Sequence, residues 1–193
     1  MRHFKYLSFA VLLGACVTAV SNAQRKPAEP IIIPTSCDSL EAGVFRSTGG
    51  RFSIAIAHFP SQIRESATEK AKAKGIDAGK MFIWQLENTL YTLYYGPPFD
   101  RDGNPQPPVY ADMENGTRKG ILNSNATLVS EKAITLGKHR GTEFRYISAQ
   151  GLRYIGRIYL VGDMGYQVVG AYAEDKYEKE VLTVLASFKP TNK

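Results

Sequence analysis

Residues 141–189 read GTEFRYISAQGLRYIGRIYLVGDMGYQVVGAYAEDKYEKEVLTVLASFK, and the fold is decided there. Three strand-like runs are separated by Ala149-Gln150-Gly151 and by Gly162-Asp163-Met164-Gly165, and an amphipathic stretch follows. The first break fits a three-residue hairpin loop in which Gly151 takes the left-handed position of a bulged turn. That loop sets a register in which Tyr146 faces Tyr154, Phe144 faces Gly156, and Glu143 meets Arg157 as an opposite-charge pair. The third run, 166–172, is apolar on both sides, as expected of a strand in the middle of a covered sheet. Tyr177, Val181, Leu182, Val184, Leu185 and Phe188 recur at helical spacing, so the closing helix is expected to cover one sheet face. Glu174 and Asp175 lie at its start, where acidic groups suit the helix dipole.

Working back toward the N-terminus, 126–136 reads as a strand, and 109–122 as a helix with Val109, Met113, Gly116, Gly120 and Ile121 on one stripe. Residues 96–108 carry five prolines and two glycines, a long irregular loop. Residues 80–95 form an aromatic hairpin turning at Glu87-Asn88. Before it, 66–74 suits a short exposed helix, and strands are expected at 44–46 and 51–57 around a Gly49-Gly50 turn. The fold class is α+β: a central antiparallel sheet of about six to seven strands sandwiched between helices, an α/β/α arrangement.

The first 23 residues read as a signal peptide. Arg2 and Lys5 open it, an apolar run from Leu7 to Val20 is too short to span a bilayer as a settled helix, and Ser21-Asn22-Ala23 supplies small residues for cleavage. An alternative is Leu13-Gly14-Ala15-Cys16, which resembles a bacterial lipobox and would leave Cys16 lipidated at the mature N-terminus. Residues 24–42 read as a Pro-rich linker and 43–193 as a single domain. Removing 23 of the 193 residues takes away two of the 24 basic ones, so the mature chain carries +4 against 18 acidic residues. That balance favours a protein or an anionic envelope component as partner, and it lacks the clustered charge of a nucleic-acid binder. No second stretch is apolar enough for a transmembrane helix, leaving peripheral or lipid-anchored membrane association open. In the mature chain Cys37 has no partner for an internal disulfide.

Motifs of chemistry are scarce. His58 and His139 have no Cys, His or acidic neighbour at ligand spacing, and there is no GxSxG, HExxH or CxxC pattern. Residues 75–80 are one residue short of a phosphate loop, and Met81 stands where Ser or Thr is required. Asp100, Asp102 and Asn104 alternate as calcium ligands do, but Ala111 occupies the position of the bidentate Glu. No catalytic residue, metal or cofactor is therefore expected. The candidate binding residues are Tyr91, Tyr94, Tyr95 and Phe99 beside the Pro-rich loop, with Arg145, Arg153 and Arg157 on adjacent strands, because Tyr and Arg anchor protein interfaces. The competing reading buries the tyrosines beneath the helices and pairs the arginines with Glu143 and helix acids.

The element order, with FSIAIAHFP closing the first hairpin, G-x-E-F-R-Y and R-I-Y-L-V-G-D-x-x-Y-Q-V-V on later strands and L-A-S-F-K ending the helix, resembles the PsbP-like superfamily. The resemblance spans residues 43–189 and is carried by Gly141, Phe144, Arg145, Tyr159, Gly162, Tyr166, Ser187 and Phe188. Members include an extrinsic subunit of the photosynthetic oxygen-evolving complex, a Ran-binding nuclear transport factor and exported bacterial proteins. The resemblance implies an exported, periplasmic or extracellular, non-catalytic binding or accessory domain of the bacterial envelope. A small-molecule or lipid carrier and an unrecognised hydrolase are the alternatives.

Overall fold

The computed structural model describes residues 38–65, 73, 79–98, 104 and 106–191. The signal and lipobox segments, the linker up to Cys37, Phe99 and nearly all of the expected 66–74 helix lie outside the described residues.

Seven antiparallel strands form the main sheet: β4 (Gln62–Glu65), β5 (Lys80–Gln85), β6 (Thr89–Gly96), β7 (Thr127–Leu136), β8 (His139–Ile147), β9 (Arg153–Val161) and β10 (Met164–Tyr172). Their spatial order is β4-β5-β6-β10-β9-β8-β7, which places β10 fourth of the seven. The 166–172 run is thus the central strand, and every residue of it is buried. The β8–β9 register matches the expected one, with Tyr146 opposite Tyr154, Phe144 opposite Gly156 and Glu143 opposite Arg157. Gly151, at φ +82°, closes the loop as its N–H donates to Ser148 C=O at 2.9 Å.

Helix α1 (Tyr110–Asn123) covers one face through Met113, Gly116, Thr117, Gly120 and Ile121, where it meets Phe144, Tyr146, Tyr154, Ile158 and Val169. Helix α2 (Glu178–Ala186), entered through a 3₁₀ turn at Asp175–Tyr177, buries Val181 and Leu185 on the opposite face, with Phe188 just beyond. Those three side chains contribute roughly 1.5–3 kcal/mol each before ordering entropy is subtracted.

The 44–57 region joins a second, smaller sheet of order β1-β2-β3-β11, made of β1 (Asp38–Glu41), β2 (Val44–Ser47), β3 (Phe52–Ile54) and β11 (Lys189–Pro190). It lies beside α2, so one face of the main sheet is covered by helix and sheet together. Strand β1 lies inside the stretch read as linker: its pairing with β2 through Asp38–Ser47 and Glu41–Val44 brings it into the fold despite the prolines before it. Phe45 and Phe52 pack on Phe82 at ring-centroid distances of 5.6 and 5.3 Å. Trp84 Nε1–H donates to His58 C=O at 2.9 Å and the Tyr166 hydroxyl donates to Gly50 C=O at 3.0 Å, so polar atoms at this junction are matched.

Gly170 on β10 sets how closely α2 approaches. A Cβ there would stand 2.4 Å from Val181 Cγ1, whereas one at Gly156 on β9 would meet its nearest neighbour, Val169 Cγ2, at an ordinary 3.6 Å. Gly170→Ala is therefore expected to cost about 1–3 kcal/mol by overpacking, and Gly156→Ala to be neutral or slightly stabilising. Urea unfolding of the two variants checks the contrast.

Candidate functional site

Strand β6 carries three of the expected interface tyrosines, but the structure places them in the core. Tyr91, Tyr94 and Tyr95 are 1%, 4% and 3% exposed. The cause is position: β6 is an inner strand next to β10, and core clusters cover both faces of the sheet there, so all of its residues are buried. Tyr91 and Tyr95 pack with Leu93 on the α2 side, and strand alternation turns Tyr94 to the other. Buried phenols are not available as surface anchors.

The arginines are engaged within the fold. Glu143, itself buried, accepts from Arg157 Nε at 2.9 Å and from Arg145 Nε at 3.1 Å. Arg145 also donates to Glu178, in the first turn of α2, at 2.6 Å. Arg153 pairs with Asp175 at 3.0 Å and donates to Ala173 C=O at 2.9 Å. Together these bonds tie β8, β9 and the start of α2. The guanidinium of Arg145 is held more basic than usual, chiefly by its bond to Glu178.

On the α1 face a second polar chain forms that was not read from the sequence. The Thr142 hydroxyl donates to Glu114 at 2.6 Å, so the Tyr110 hydroxyl, also 2.6 Å away, donates to Thr142. Arg140 lies 4.6 Å over the Tyr110 ring and 3.8 Å from Glu114. Burial raises the Tyr110 phenol. The chain fastens the start of α1 to β8.

Among the described residues a cleft of about 230 Å³ opens at the end of the sheet where α2 begins. The β5–β6 turn (Leu86, Asn88), Leu152 after the β8–β9 loop, Ala171 and Ala173 at the end of β10, and Tyr177 line it. Glu87 and Glu174 make its rim acidic, and Glu174 holds Lys176 at 3.0 Å. Four separate segments compose it, so no local pattern could have announced it. Among the described residues no three His, Cys, Asp or Glu side chains gather as a metal site, and no helix is long and apolar enough to cross a membrane.

No protein-family profile matches the sequence, and no curated protein matches it. Among solved structures, the cyanobacterial PsbP of Synechocystis sp. PCC 6803 aligns over 87% of this chain and 99% of its own, at 11% identity and a TM-score of 0.52. The chain takes the PsbP-like fold. A Pseudomonas aeruginosa protein of unknown function aligns over 58% of this chain and 84% of its own, at 10% identity and a TM-score of 0.48. The Saccharomyces cerevisiae Ran-binding protein Mog1p aligns over 80% and 97%, at 8% identity and a TM-score of 0.42. In this fold the cleft sits where the end of the central strand passes into the closing helix.

Burial, followed by the charge and hydrogen bond of Glu180, pushes the Tyr91 phenol up from 10 to about 12 against the lowering effect of Thr89. Between those values the unfolded chain releases a proton that the folded chain keeps. The stabilisation tied to Tyr91 is thus complete below pH 10 and lost as pH rises through 12. Urea midpoints should hold steady up to pH 10 and fall above it, and Tyr91→Phe should flatten that alkaline slope. An unchanged slope in Tyr91→Phe would contradict the assignment.

Proposed function

We propose that this chain is an exported, non-catalytic binding domain of the bacterial envelope, and that the cleft beside Leu152 receives an apolar side chain of a partner protein. The observation that carries the reading is the cleft itself: an opening with a floor of Leu86, Leu90, Leu152 and Ala171 and an acidic rim at Glu87 and Glu174. Its volume of about 230 Å³ lies below the range of roughly 300–1,000 Å³ usual for small-molecule pockets, which favours a side chain over a carried lipid. The rim calls for a basic residue beside that apolar group, by charge complementarity.

Two further observations support the reading, one on chemistry and one on location. The phenols of Tyr91, Tyr110, Tyr159, Tyr166 and Tyr172 are raised, as are Arg118, Arg145 and Lys176, so each moves away from neutral pH. A tyrosine, lysine or arginine acting as general acid or base near neutral pH needs the opposite shift. The first 23 residues have the pattern of an export signal, which supports placing the domain outside the cytoplasm, in the periplasm or beyond it.

The test is site-specific photo-crosslinking in the native host, with a benzophenone side chain at Asn88 on the rim and a control at Lys189 on the small sheet. A discrete adduct from Asn88, absent from Lys189 and lost in Leu152→Asp, is the expected result. Equal labelling from both positions, or hydrolysis of an ester or peptide substrate panel by the purified mature chain, would overturn it.

A further inference from the structure

The main sheet has two borders of unequal kind. β4 is four residues long, whereas β7 runs for ten, and among the described residues no strand lies beyond either. A long open border is usually shortened, covered or paired, because its free N–H and C=O groups are a template for another strand.

Which groups of β7 are free follows from the ladder. Ser148 N–H donates to Leu152 C=O at 2.9 Å, so the backbone of Ser148 is turned toward β9. Successive residues of a strand turn their backbone groups to alternate sides, so Thr142, Phe144 and Tyr146 also bond β9, while Gly141, Glu143 and Arg145 bond β7. The residues opposite that second set, Ile134, Lys132 and Ser130, use their backbone groups on β8. The N–H and C=O of Glu131, Ala133 and Thr135 therefore point out of the sheet.

We propose that β7 pairs with β7 of a second copy of this chain, antiparallel about a two-fold axis through Ala133. Beyond the bulge between Leu128 and Ser130, the regular part of the strand is 130–136, and Ala133 is its midpoint. An axis there overlaps the whole segment. It sets the exposed Ala133 against its own copy as a hydrogen-bonded pair, its outward N–H and C=O meeting those of the second Ala133, and places Glu131 across from Thr135 of the second copy and Lys132 across from Ile134 of the second copy. Moving the axis to Glu131 or Lys132 puts like charges face to face, which is destabilising, and moving it to Ile134 or Thr135 shortens the overlap. The Glu131 carboxylate is already met inside its own copy, since Arg118 on α1 donates to both of its oxygens, from Nε at 2.9 Å. Ile134 and Leu136, half-buried at the margin of the aromatic core, would gain cover from the added strand. The contact is self-complementary and closes at two copies, leaving the short β4 borders of the main sheet outward.

Sedimentation velocity of the mature chain over a range of concentrations tests this, together with two variants. The wild type is expected to pass from monomer to dimer as concentration rises. Ala133→Pro removes an outward N–H and no bond to β8, and Ala133→Arg sets two cations against each other at the axis. Both are expected to abolish the dimer while retaining the circular dichroism spectrum of the wild type and, at concentrations where the wild type is monomeric, its thermal midpoint. A wild type that stays monomeric throughout, a dimer that Ala133→Arg leaves intact, or an edge occupied instead by an extended segment of another protein would overturn the proposal.

Discussion

The structure depends on one strand that must be apolar on both sides. β10 has Tyr166, Val168 and Tyr172 packed toward the small sheet and α2, and Val169 and Ala171 packed toward α1. Both halves of the core therefore share one backbone, whose ladder bonds to β6 and β9 are out of water along its length. Gly170 supplies a gap for the Val181 side chain, so the strand also determines the distance of the helix above it. The Tyr166 hydroxyl reaches the Gly50 carbonyl and links the small sheet to the same strand. Burial of aromatic area drives this arrangement, and the hydrogen bonds from Tyr166 and Trp84 match the polar atoms of those two side chains as they are buried.

Charge plays the complementary part. Glu143 sits between Arg157 and Arg145, and Arg145 continues to Glu178 at the start of α2. A buried carboxylate with one partner removed is costly, so the network penalises any slip of β8 against β9 or of α2 along the sheet. It also means that the positive balance of the sequence does not appear at these arginines as a basic surface. The groups that make this chain basic on paper are, on β8 and β9, part of what holds it together.

How much of this was legible varies with the range of the cause. The Ala149-Gln150-Gly151 loop and the two-sided β10 run could be read in full, because turn chemistry and period-two alternation are local. The small sheet was harder: its last strand, Lys189–Pro190, lies more than a hundred residues from its partner β3, and β1 follows a Pro-rich stretch that suggests a linker. The tyrosines of β6 misled for a related reason. Aromatic residues are favoured both in cores and at interfaces, and only the place of β6 next to the central strand decides between the two. The cleft and the Tyr110–Thr142–Glu114 chain are assembled from separate elements and left no signature in any one of them. The open side of β7 became visible only when the ladder showed which amides were unused.

Amide hydrogen exchange measures the central claim directly, because protection reports where opening costs the whole free energy of the fold. Peptides covering Met164–Tyr172 should exchange most slowly of all and only by global unfolding, ahead of those from β7 and from the small sheet. Exchange of β10 as fast as that of β1 to β3, or protection greatest in the small sheet, would contradict the account.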